Sequence, residues 1–105
     1  MRTVAETPIF QRYAAEVWTE AERLAFVDWI ALNPEAGAVI PGTGGCRKVR
    51  WLKAGRGKRG GVRVIYFNVA DHLIWLLIVY AKASYDSLPA AFLAELKEGI
   101  EDAQG

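Results

Sequence analysis

Residues 73–80 read Leu-Ile-Trp-Leu-Leu-Ile-Val-Tyr, an unbroken apolar run of β-prone side chains. A strand with one wet face alternates polar and apolar residues, and this run does not. It therefore predicts, over residues 72–81, a central strand covered on both faces. The run is far too short to span a bilayer, which takes about 20 residues. The 105 residues are expected to form one domain, 1–105. A domain of that size has to build everything else around this strand.

The flanking sequence supplies the partners. Residues 2–6 predict a short edge strand. Thr7-Pro8 predicts a helix N-cap followed by proline at the first helical position. Thr19-Glu20-Ala21-Glu22 is a capping box that opens a second helix. Asn33-Pro34 ends it, because the residue before proline avoids helical angles. Residues 35–45 read as a turn-rich connection. Residues 46–52 and 61–69 predict two strands, joined by a loose hairpin over 55–60. A tight hairpin over 68–71 leads to the apolar strand. Residues 87–104 predict a closing helix, with Ser87 as cap and Phe92, Leu93, Leu96 and Ile100 as its buried stripe. The expected class is α+β, a small antiparallel sheet with two N-terminal helices and one C-terminal helix, in the order β-α-α-β-β-β-α. The helices are expected on one side of the sheet. The other side would then form a concave basic floor.

Charge is segregated along the chain. The formal net charge is only +1, yet no acid occurs between Glu35 and Asp71. That window holds Arg47, Lys48, Arg50, Lys53, Arg56, Lys58, Arg59 and Arg63, eight of the 13 basic residues. One electropositive surface follows, and it attracts polyanions. From Lys53 to Arg63 cations alternate with glycines, which let a backbone approach phosphate closely. Arginine adds a planar fork of donors, and lysine a point charge that can give up a proton. Neither a phosphate-loop nor a dinucleotide-turn spacing is present. By charge alone, a solvated basic hairpin docking on an acidic protein fits as well as nucleic-acid binding does.

Individual reactive residues add less. Tyr80 and Lys82 lie two apart at the end of the apolar strand, in line with Ile74, Leu76 and Ile78. They read either as a site at a strand end or as a core cap with a snorkelling lysine. Arg63 lies in line with Ile65 and Phe67. Trp51 reads as packing before base stacking. His72 reads as solvated. Cys46, the single cysteine, reads as a small buried residue in a reducing compartment. No His/Cys metal spacing and no Ser-His-Asp arrangement is present, and few acids lie near the basic strip. No metal or other cofactor is expected. The opening MRTVAETPIF lacks the apolar core of a secretory signal, so the expected compartment is cytoplasmic.

Three blocks carry a resemblance. They are Asn33-Pro34-x-x-Gly37, then residues 40–50 (IPGTGGCRKVR), then residues 55–67 (GRGKRGGVRVIYF). Residues 77–82 (LIVYAK) and Asp86-x-Leu88 continue it. Together they resemble the HigB branch of the RelE superfamily, toxins of type II toxin–antitoxin pairs, over nearly the whole chain. The resemblance implies a ribosome-dependent endoribonuclease that cuts messenger RNA without metal, through attack of a ribose 2′-hydroxyl on the adjacent phosphate. It implies Lys58, Arg63, Tyr80 and Lys82 as the catalytic set. Arg63 and Lys82 would contact the scissile phosphate, with Lys58 as base or second clamp, and the family's hairpin-loop lysines match Lys53, Lys58 or both. Arg47, Lys48, Arg50, Lys53, Arg56 and Arg59 would bind RNA. Some RelE-like toxins carry a tyrosine or histidine acid near the C-terminus. Residues 101–105 hold none, so Tyr80 and then Tyr66 stand as substitutes. The implied partners are messenger RNA, the ribosome, a neutralising antitoxin of helix-turn-helix type, and operator DNA through the antitoxin complex, with no membrane. The alternative is a non-catalytic module of degenerate RelE-like fold that binds RNA, DNA or an acidic protein.

Overall fold

The computed structural model describes residues 1–51, 61–82 and 88–104, with side chains through Ile100. Lys53, Arg56, Lys58, Arg59 and the cap assigned to Ser87 lie outside the described residues.

The apolar run becomes the strand β5 (Leu73–Ala81), and everything else is arranged about it. The first strand, β1 (Thr3–Glu6), lies parallel to β5, with Thr3 opposite Leu73 and Glu6 opposite Leu76. On the other side β4 (Val62–Val69) runs antiparallel to β5, then β3 (Arg47–Trp51), then the two-residue β2 (Ala38–Val39). The sheet among the described residues is thus five-stranded, in the order β1-β5-β4-β3-β2. It is mixed rather than purely antiparallel, because the chain leaves β1 through helices and not through a hairpin. The strand β2 was not anticipated. It lies within the turn-rich connection, and two exposed residues carry no readable pattern. Between β4 and β5, Ala70 adopts the left-handed conformation at φ 53° that closes the tight turn.

The first two helices begin where the sequence predicts, and the third begins later than residue 87. Thr7 caps α1 (Pro8–Val17), its hydroxyl accepting from the Phe10 N–H at 2.9 Å. The capping box of α2 (Glu20–Leu32) forms in both directions, Glu22 N–H to Thr19 Oγ1 at 3.2 Å and Thr19 N–H to Glu22 Oε1 at 2.7 Å. Arg23 pairs with Glu6 and Glu20, tying α2 to the end of β1. The closing helix α3 (Ala90–Gln104) starts just after Pro89. Among the described residues no helix is long and apolar enough to cross a membrane.

The helices do not all lie on one side of the sheet. Phe10 and Ala14 of α1, with Phe26 and Ile30 of α2, pack on Val64, Tyr66, Ile74 and Leu76. Leu93 of α3 packs with Cys46, Ile65, Phe67, Leu77 and Ile78, on the opposite face. That arrangement covers β5 on both sides, as its unbroken apolar character requires. The floor expected to be open is roofed by α3 over part of its length.

A bulge in β5 decides which residues share a face. Ile65 pairs with Ile78, but the next residue, Tyr66, pairs with Leu76, leaving Leu77 as the extra residue. One extra residue is half a strand period, so the side chains beyond it exchange faces. Ile74 and Leu76 enter the core beneath α1 and α2, whereas Ile78 and Tyr80 join the one beneath α3. The simple alternation predicted for Ile74, Leu76, Ile78 and Tyr80 therefore breaks at Leu77. The Thr7 hydroxyl donates to the Leu77 carbonyl at 2.9 Å, and the Thr7 N–H donates to the Leu76 carbonyl at 3.2 Å.

Tyr66 anchors the opposite side of the sheet. Its hydroxyl donates to the Pro34 carbonyl and accepts from the Gly37 N–H, both at 2.9 Å. Gly37 lies against β3, where an added Cβ would come within 2.9 Å of the Lys48 carbonyl oxygen. Replacing Tyr66 by Phe leaves the Gly37 N–H without its partner in a buried place. The expected loss is about 1–3 kcal/mol of stability, read as a lower denaturation midpoint with an unchanged slope. An unchanged midpoint would show that this anchor contributes nothing.

Candidate nucleic-acid interface

The antiparallel ladders set three of the predicted residues in one row. Arg50 on β3 pairs with Arg63 on β4, and Arg63 pairs with Tyr80 on β5. Directly paired residues point to the same face. Here it is the α3 side, since Ile65 and Ile78, the next pair along, lie in that core. Lys48, opposite Ile65, continues the cationic edge on β3. Lys82 follows Tyr80 by two residues, and its N–H donates to the Gly61 carbonyl at 3.2 Å. That bond holds Lys82 beside the start of β4, at the same end of the sheet.

Burial grades the row from rim to interior. Arg50 is exposed, Arg63 only 7 % exposed and Tyr80 2 %. The pairing of Arg50 with Arg63 brings two cations to one place on this face, which favours an anion there. Burial pushes the Tyr80 phenol above its ordinary range, and the positive charge of Arg63 pulls it partly back. Tyr80 therefore remains a proton donor through neutral pH, beside a cation able to stabilise its phenolate. The row can grip an oxyanion and present a proton to it.

Two predicted residues fall elsewhere. Arg47 pairs with Tyr66, on the face beneath α1 and α2. Its guanidinium donates to the Gly37 carbonyl at 2.7 Å and to the Glu35 carbonyl at 3.4 Å, so it holds the 35–37 segment instead of joining the row. Tyr66, the second candidate for the acid, is fully buried on that face, with its hydroxyl engaged by Pro34 and Gly37. Trp51 also packs there, 5.3 Å from the Phe26 ring and 4.9 Å from Trp29, as expected of a core residue. Cys46 is buried, and His72 is exposed at the far end of β5.

One cation was missed by the sequence reading. Lys97 on α3 lies over the Phe67 ring, with Nζ 5.3 Å from its centroid. Phe67 belongs to the same sheet face as Arg63 and Ile65. Lys97 therefore extends the positive surface from the sheet onto its roof. The signal was present: Lys97 falls four residues after Leu93, on the buried stripe of the helix.

Among solved structures, the chain is similar to a free-state structure of the Escherichia coli toxin RelE carrying two arginine-to-alanine substitutions. The TM-score is 0.61 at 11% sequence identity, over 91% of this chain and 96% of that one. No protein-family model matches the chain. The fold is thus of RelE type, an α+β sheet with two helices before its main meander and one after it.

The electrostatics of the row give a direct test. The ionisation of Tyr80 can be isolated as the alkaline absorbance difference between the wild type and Tyr80→Phe. Its midpoint is expected above the ordinary value of about 10, and Arg63→Ala should raise it further by removing the favourable charge. A midpoint that falls on loss of Arg63 would contradict the pairing.

Proposed function

We propose that this chain is the toxin of a type II toxin–antitoxin pair, of the HigB-like branch, and that it cleaves messenger RNA in the decoding site of the ribosome without a metal ion. The observation that carries the reading is the row Arg50–Arg63–Tyr80, two cations and a protonated phenol on one face of a RelE-like sheet. The charge segregation and the motif blocks of the sequence support it.

The chemistry needs three services. A base takes the proton of the ribose 2′-hydroxyl. Lys58, or its neighbour Lys53, fills that role, because crowding by other cations disfavours a charged lysine. The 2′-oxygen then forms a bond to the adjacent phosphorus. Arg63 and Lys82 hold the phosphate and stabilise the extra negative charge of the phosphorane, with Arg50 beside Arg63 at the rim. The bond from phosphorus to the 5′-oxygen breaks as Tyr80 donates its proton to that oxygen. The products are a 2′,3′-cyclic phosphate and a 5′-hydroxyl. Arg63 steadies the phenolate until Tyr80 is reprotonated. Lys48, Arg56 and Arg59, with Lys97 from the roof, hold flanking RNA or ribosomal RNA.

A free enzyme of this kind would arrest its own cell. The reading therefore includes a neutralising antitoxin that covers the basic face, with the complex reaching operator DNA through the antitoxin. The setting is the cytoplasm, where messages and ribosomes are.

Controlled expression should halt translation and leave new 5′-hydroxyl ends within coding regions, mapped by primer extension. Arg63→Ala and Lys82→Ala should each reduce cleavage about a hundredfold or more, the scale of losing one preorganised charge at a transition state. Circular dichroism should show both variants folded. Growth arrest with intact messages would overturn the mechanism. Salt-sensitive RNA binding without new ends is the outcome that the non-catalytic alternative requires.

A further inference from the structure

A cavity of about 360 Å³ opens beside Tyr80, lined by Tyr13, Ile78, Tyr80, Leu88, Pro89 and Phe92. It lies between α1, the end of β5 and the start of α3. Its walls are mostly apolar side chains, with Tyr13 and Tyr80 supplying two phenol groups. Phe92 is 38 % exposed, a large aromatic side chain left open to solvent. The volume is near the lower limit for small-molecule sites, suited to a single ring system.

The surroundings restrict the occupant. Tyr80 is at once a wall of this cavity and the end of the Arg50–Arg63–Tyr80 row. A ligand engaging both features carries a phosphate for the arginines and a flat apolar ring attached a short distance away. That is a nucleotide within a single strand, whose unstacked bases splay out and stack on aromatic side chains. A duplex would keep its bases out of reach.

We propose that this cavity seats the base of the nucleotide on the 3′ side of the scissile phosphate. The assignment of side rests on the ribonuclease reading. Tyr80 gives its proton to the 5′-oxygen of the leaving nucleotide, so the cavity that shares Tyr80 lies next to that nucleotide and not to the one supplying the 2′-hydroxyl. Phe92 and Pro89 form the stacking wall, and Tyr13 closes the seat from α1. The seat makes Phe92 a determinant of sequence preference at the first position after the cut.

The test uses short single-stranded RNAs with 2′-O-methyl riboses, which lack the attacking hydroxyl and stay intact. They are prepared complete, or abasic on either side of the central phosphate, and titrated by fluorescence anisotropy. Loss of the 3′ base should weaken binding to the wild type about tenfold, the scale of one base–aromatic stack. With Phe92→Ala the same loss should matter less than about twofold. Phe92 is exposed enough that its replacement leaves the fold intact, which circular dichroism checks. An equal abasic penalty in both proteins, a penalty confined to the 5′ base, or no binding of any RNA would overturn the seat.

Mapping of cleavage ends separates this proposal from the reading beneath it. New ends in wild-type cells together with a Phe92-independent penalty would remove the seat and leave the ribonuclease. A Phe92-dependent penalty at the 3′ base without new ends would keep the seat and remove the ribonuclease.

Discussion

The Thr7 hydroxyl accepts a hydrogen bond from the Phe10 N–H and donates one to the Leu77 carbonyl, each at 2.9 Å. The first bond starts α1 and the second fastens that start to the bulge of β5. Parallel pairing of β1 with β5 ends at Leu76, so Thr7 marks the place where strand becomes helix and ladder becomes bulge. The site depends on this joint. With the bulge at Leu77, Tyr80 falls on the α3 side of the sheet and meets Arg63 directly. Without it, the regular alternation of β5 would turn the tyrosine toward α1 and α2.

Covering the central strand on both faces has an electrostatic consequence. The face beneath α1 and α2 is apolar near its middle, and Arg47 and Tyr66 use their polar groups to hold the 34–37 segment. The other face is apolar beneath α3 and becomes charged toward the end carrying Arg50, Arg63 and Tyr80. On β4 and β5 the change occurs over two residues, from the Ile65–Ile78 pair to the Arg63–Tyr80 pair. A buried guanidinium is costly unless it has partners. Arg63 lies between the phenol of Tyr80 on one flank and the exposed Arg50 at the rim on the other.

The roof helix is part of the same surface. Lys97 sits on the buried stripe of α3 and places its ammonium group over the Phe67 ring, adding a cation to the face that α3 covers. At its N-terminal end the same helix contributes Phe92 to the cavity beside Tyr80. One helix thus closes the second core and borders the cationic row with an aromatic wall.

Much of this was legible in the residues themselves. The apolar run 73–80 demanded a central strand, Thr7-Pro8 and the Thr19 capping box marked two helix starts, and the empty acid column from Glu35 to Asp71 marked a basic face. These are local properties, in which composition and spacing within a few residues decide the outcome. Alternation likewise set Arg63 in line with Ile65 and Phe67, whereas its pairing with Arg50 is a matter of register. What no local pattern contained was the bulge, the parallel pairing of β1, and the side on which α3 docks. Each depends on contacts between segments far apart in the chain; the Thr7–Leu77 bond alone spans 70 positions. Those contacts moved Tyr80 to the face of Arg63 and brought in Lys97. The sequence by itself determined that a basic, β-rich face would exist. Only the tertiary structure decided which side chains share it, because a one-residue slip in one strand exchanges its two faces.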